Sequence, residues 1–288
     1  MKEVIAMKLD KRRKYYMILD CETATVPFAS EYGESKGAIA LQKPVIYDIG
    51  WQIVDKKGNV YKRVSSLVAE TFTKPEVFDT AYYADKRPIY LDLLAHGEIE
   101  LRTWSDITKE LESDLAVCSM VGAYNSGFDF KKAIPFTERY MKAILSPDYK
   151  EWEQKQRYSC DVIAGRTEKK PYKSNYDNKN FIFRGKRYPL FDIWQLACDY
   201  ILNCEEYKSF CIRNKLYNTY FKTSAETTFQ YLLQDMDFAE QHRAIDDVEI
   251  ETAIFAESVK RNKNKIDEGI TAFPFRKLGT VKKFLGGD

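Results

Sequence analysis

Apolar residues along this chain fall into short runs divided by polar turns, and their spacing changes from run to run. Tyr15-Tyr16-Met17-Ile18-Leu19 is unbroken and stops at Asp20, as a buried strand does. Residues 26–43, rich in Gly, Ser and Glu, read as a loop. The apolar stretch 45–54, opened by Pro44, and the stretch 60–72 flank the polar turn Asp55-Lys56-Lys57-Gly58-Asn59, which predicts an antiparallel hairpin. Residues 75–100 are mixed and partly helical. Ser105 is the expected N-cap of a helix reaching Leu115, with Ile107, Leu111 and Leu115 spaced by four. Residues 117–124 predict a short buried strand that leads through Asn125-Ser126-Gly127-Phe128-Asp129 into a helix over 130–145.

The pattern then breaks. From Lys150 to Tyr188 there are 11 Lys and Arg against 5 Asp and Glu, with seven aromatics interleaved: Trp152, Tyr158, Tyr172, Tyr176, Phe181, Phe183 and Tyr188. Cations that track phosphates and rings that stack on bases suit a single-stranded nucleic acid; a solvated insertion whose aromatics pack on the parent domain fits equally well. Residues 181–188 predict a small hairpin turning at Gly185. Helical character runs from Phe191 to about Leu233, and a last helix over 246–261 has Val248, Thr252, Phe255 and Val259 as its buried stripe. The chain thus divides into one domain, 1–262, carrying a basic aromatic insertion at about 146–189, and a basic tail, 263–288. The tail is expected to fray, with Phe273, Phe275, Phe284 and Leu285 available for docking.

Composition narrows the class. Hydrophobic residues at 44% and charged residues at 31% are globular values, and a net charge of +2 announces no polyanion partner by itself. Six cysteines without a C-x-x-C pair, and only two histidines, argue against structural zinc and for free thiols in a reducing cytosol. The basic run at 11–14 reads as a solvated lead-in to the first strand. No stretch reaches the roughly 18 apolar residues of a membrane span. A soluble, cytoplasmic protein with no membrane partner is expected.

The candidate chemistry begins at Asp20 and Glu22. At i and i+2 of a strand they share a face, and paired anions at the end of a buried strand call for a cation between them. Asp129 sits on a strand-to-helix turn. His242 and Asp247 lie five apart, about 140° around a continuous helix, so His242 belongs in the approach to the helix and Asp247 in its first turn. Asp246, beside it, is the expected helix cap.

Asp20-x-Glu22, Asn125-x-x-Phe128-Asp129 and His242-x-Ala244-x-x-Asp247 resemble, in order and context, the three motifs of DnaQ-like 3′–5′ exonucleases of the DEDDh class. The resemblance covers roughly 14–145 and 190–260. It implies an α/β, RNase H-like mixed β-sheet, an antiparallel meander plus parallel strands, flanked by helices. Carboxylates without a cysteine or multi-histidine cluster select Mg²⁺ or Mn²⁺, here two ions. By resemblance Asp20 bridges both, Glu22 and Asp247 complete one shell, Asp129 holds the second through water, and His242 is the general base. Thr23 would lie beside the terminal nucleotide, Asn125 would brace its turn or touch substrate, and Phe128 would pack under the site. The implied reaction is hydrolysis of the 3′-terminal phosphodiester of DNA or RNA, releasing nucleoside 5′-monophosphates. Its partners are nucleic acid with single-stranded 3′ ends and a replication or repair protein. The competing reading is a non-catalytic nucleic-acid-binding or polymerase-associated subunit that keeps the fold.

Overall fold

A computed structural model describes residues 10, 12–32, 43–165 and 178–286. Its centre is a seven-stranded mixed sheet. The strands are β1 (Tyr16–Thr25), β2 (Pro44–Val54), β3 (Val60–Val68), β4 (Glu100–Arg102), β5 (Met120–Ala123), β6 (Asn180–Phe183) and β7 (Lys186–Asp192). Their spatial order is β4-β3-β2-β1-β5-β7-β6. β1, β2 and β3 form the antiparallel meander, β5 lies parallel to β1, and β7 lies parallel to β5. The expected RNase H-like α/β arrangement is therefore present.

Seven longer helices flank it: α1 (Arg87–Ala95), α2 (Trp104–Leu115), α3 (Ile134–Ile144), α4 (Tyr149–Ala164), α5 (Glu205–Arg213), α6 (Ala225–Leu233) and α7 (Ala244–Arg261). Strand alternation assigns the two faces. Met17, Leu19 and Cys21 join a core with Ile107, Leu111, Leu115 and Ile134. Tyr16 and Ile18 join the opposite core with Val248, Phe255 and Val259. A sheet covered on both faces explains why the β1 and β2 runs are almost wholly apolar. The predicted stripes of α2 and α7 are buried as expected.

Several boundaries move. The third strand ends at Val68 rather than 72, because the Thr71 hydroxyl donates to the Ile46 carbonyl at 2.7 Å and Phe72 turns in against Phe78 and Tyr90. Thr103, not Ser105, caps α2, its hydroxyl accepting the Asp106 N–H. β5 begins at Met120, since Val117 and Cys118 still belong to the turn that closes α2. Phe191 and Asp192 end β7 rather than open a helix; Asp192 caps the helical turn Ile193–Ala197, its carboxylate accepting the Trp194 N–H.

The 146–189 region is bound closely to the body. Arg184 (φ 48°) and Gly185 (φ 80°) form the tight turn of the β6–β7 hairpin, and β7 then enters the central sheet. Phe181, Phe183 and Tyr188 are core residues, and Trp152 packs against the same core. Lys155, Arg157, Arg184 and Lys186 are in ion pairs with acidic side chains. Tyr172 and Tyr176 lie outside the described residues, as do 33–42 of the expected loop. The tail docks: Phe275 stacks on Trp194, Phe284 meets Phe221 edge-on, and Leu278 and Val281 are buried. No helix among the described residues is long and apolar enough to cross a membrane.

Candidate metal centre

Three separate segments bring acids to one end of the sheet. Asp20 and Glu22 continue the Tyr16–Ile18 side of β1, which faces α7. Directly after Glu22 the β1–β2 register slips: Glu22 pairs with Asp48 but Thr23 with Ile46. Such a bulge re-aims the side chains beside it. Thr23 stands just past it, half-buried.

The last helix can reach β1 because Gly50, opposite Asp20, has no side chain. A Cβ there would lie 2.7 Å from the Ile245 nitrogen and 2.8 Å from its Cα. Asp48 completes the docking. Its Oδ2 accepts the Ala244 N–H at 3.0 Å and the Tyr90 hydroxyl at 2.9 Å, so an acid from β2 caps α7. Asp246 does not cap the helix; it pairs with Arg243 instead. Immediately upstream His242 is held at φ 49°, a conformation non-glycine residues seldom adopt.

That geometry gathers Glu22, His242 and Asp247, whose ligand atoms all lie within 4.8 Å of one another. The His242 ring stacks on Tyr83, centroids 4.4 Å apart at 13°. Lys86 lies over the other ring of this stack at 4.5 Å and donates to the Gln241 carbonyl. Glu240 Oε2 is 3.8 Å from His242 Nδ1. Burial, then the Lys86 charge, lowers the His242 pKa, so the ring is neutral near pH 7.

Asp129 arrives from the end of β5. Asn125 takes a left-handed conformation (φ 70°), and its N–H donates to Asp192 Oδ1 at 3.1 Å. Ser126 ties the same turn to the Phe191 carbonyl at 2.7 Å. Asn125 thus braces the turn, and the half-buried Phe128 packs on the core below. Asp129 opens a π-helical turn, Asp129–Ala133, a distortion frequent at functional sites. It is buried, and its Oδ1 has no hydrogen-bond partner.

The acids are held at a cost. Burial first, and then mutual repulsion, raises the pKa of Asp20, Glu22 and Asp247. Burial also raises Asp129, and Asp48 rises to about 6 for the same reason. Asp129 Oδ1, Asp247 Oδ1 and Glu251 Oε2 are all buried without a partner. Buried carboxylate oxygens of that kind need a proton or a cation, and an oxygen-rich donor set suits a hard divalent ion.

Sequence reasoning missed Asp48, Glu240, Glu251 and the Tyr83–Lys86 pair. Asp48 had a signal, as the single acid in an otherwise apolar strand. Glu251 had one in its i+4 spacing from Asp247. Tyr83 and Lys86 had none.

Comparison of the chain with family models, curated proteins and solved structures finds no match in any of the three.

Proposed function

We propose that this protein is a divalent-metal-dependent 3′–5′ exonuclease of the DnaQ-like, DEDDh type. The observation that carries the reading is the convergence of Asp20, Glu22, Asp129, His242 and Asp247, from three motifs far apart in the chain, on one end of one sheet. Glu22, Asp247 and Asp20 hold one Mg²⁺ or Mn²⁺, and Asp20 with Asp129 holds a second. When bound, a metal pair about 3.5–4 Å apart lowers the pKa of the attacking water and neutralises charge on the phosphoryl and leaving oxygens.

The chain's own residues do the rest. His242, neutral at working pH and fixed by the Tyr83 stack, accepts the proton of the attacking water at a ring nitrogen. Glu240, 3.8 Å from Nδ1, favours the charged ring that results. Thr23, past the bulge, flanks the terminal nucleotide. Tyr82, 88% exposed and edge-on to Tyr83, with Lys86 beside it, offers the strand a ring and a cation near the mouth of the site. A binding subunit would have no use for buried, unpartnered carboxylates, which disfavours the non-catalytic alternative.

The test is a 5′-labelled single strand, DNA and RNA in parallel, incubated with Mg²⁺ or Mn²⁺. The reading expects a ladder shortening from the 3′ end, abolished by EDTA. Internal cleavage, or activity that survives EDTA, would remove it.

A further inference from the structure

We propose that Glu251 is a metal ligand, and that with Asp20 and Asp129 it forms an inner carboxylate cage holding the second divalent cation. This rests on the reading of the site as a cation centre and goes beyond it, because the resemblance leaves the second ion with Asp129 acting through water.

The placement is geometric. Glu251 lies one helical turn after Asp247 in α7, so the two side chains point from the same face. Asp247 joins the half-buried outer group with Glu22 and His242. Glu251, 3% exposed, reaches deeper, to the end of β5, where it accepts the Tyr124 N–H. The charges of Asp20, Asp129 and Asp247, in that order, bear on it. Its Oε2 has no partner, and neither has Oδ1 of Asp129, itself 1% exposed.

A buried carboxyl with a purely structural task would have both oxygens satisfied by donors, as Asp48 and Asp192 largely do through hydroxyl and backbone N–H groups. Here two oxygens on facing elements stay open, and only carboxylates surround them. One hard cation between Asp20, Asp129 and Glu251 satisfies both oxygens and screens the repulsion among the three acids. The site then has two unlike halves. The outer one is half-exposed and includes His242; the inner one is all carboxylate and closed off, so its ion is in place before nucleic acid arrives.

The experiment is a Mn²⁺ titration of the full chain without nucleic acid, following free Mn²⁺ by electron paramagnetic resonance. Wild type should take up two ions per chain. Glu251→Gln should take up one, and Asp247→Asn should weaken the other. Should Glu251→Gln fail to fold by circular dichroism, Glu251→Asp, which keeps the charge but withdraws it, should bind the inner ion about tenfold more weakly or worse. Two ions with unchanged affinity in the Glu251 variants would overturn the proposal, as would a wild-type chain that binds fewer than two. Since no strand is present, a chain that shows the expected loss yet cuts nothing would refute the nuclease reading and leave this one standing.

Discussion

Asp48 Oδ2 accepts the backbone N–H of Ala244 at 3.0 Å, joining residues 196 positions apart. Through this bond a β2 carboxylate does what a local N-cap usually does, and it fixes where α7 begins. Both His242 and Asp247 depend on that starting point. Asp48→Ala, which also strands the buried Tyr90 hydroxyl, is expected to cost about 1–3 kcal/mol of stability and to lower turnover. Asp48→Asn keeps an acceptor and should cost less. Thermal melts of both variants beside initial rates check the order; equal losses would mean that the cap is not the cause.

Gly50 makes a second, steric demand. Its missing side chain is the room in which Ile245 sits, and the obstructing atoms are backbone, which cannot rotate away. Gly50→Ala should therefore displace the start of α7, destabilise the protein by about 1–3 kcal/mol as overpacking does, and weaken metal binding. An alanine variant with unchanged melting temperature and Mn²⁺ affinity would show that the helix yields freely.

His242 and Tyr83 should separate chemistry from binding. Loss of a general base lowers turnover by about 10²–10⁴-fold, so His242→Ala should reduce kcat by that order with little change in KM. Tyr83→Ala frees the imidazole without removing it and should fall between wild type and His242→Ala, whereas Tyr83→Phe keeps the stack and should stay near wild type. Single-turnover rates on one oligonucleotide decide the ranking.

Stability without metal should depend on pH in a definite sense. Burial raises Asp48 to about 6 and Glu240 and Asp192 each to about 7, and raises Asp129, Asp247 and Glu22 as well. Unfolded carboxyls titrate near roughly 4, so between that pH and the raised values the folded chain holds more protons. The stabilising contribution is complete below the unfolded values and is lost as pH rises through the folded ones. Melting temperature in EDTA should fall from about pH 4.5 to 8, and saturating Mn²⁺ should flatten the fall. A metal-free curve that rises over this window would contradict the assignment of these acids as buried and unneutralised.

Much of the fold could be read from the chain because its signals are local. The abrupt end of the apolar run at Asp20, the Lys57–Gly58 turn and the stripe of α7 each lie within a few residues. The end of β3 was misjudged because Thr71 is drawn out of the strand by the Ile46 carbonyl, a partner 25 residues away. The β6–β7 hairpin was seen, but not that β7 runs on to pair with β5, since the pairing of Gly122 with Phe191 is non-local. The aromatics at 181, 183 and 188 suggested base stacking and proved to be core, because composition does not say which way a strand faces. Asp20, Glu22, Asp129, His242 and Asp247 were found through motif order. Glu251 and Asp48 fell outside any motif, and only burial marks them.

The central claim is that these acids form a hydrolytic metal site acting at 3′ ends. It is tested most directly with a strand labelled at its 3′-terminal nucleotide, incubated with Mn²⁺ and either wild type or Asp247→Asn. The account predicts that wild type releases the label at once as a nucleoside 5′-monophosphate, while Asp247→Asn and EDTA-treated wild type release none. Label that stays in oligonucleotides with wild type, or an equal release by Asp247→Asn, would contradict it.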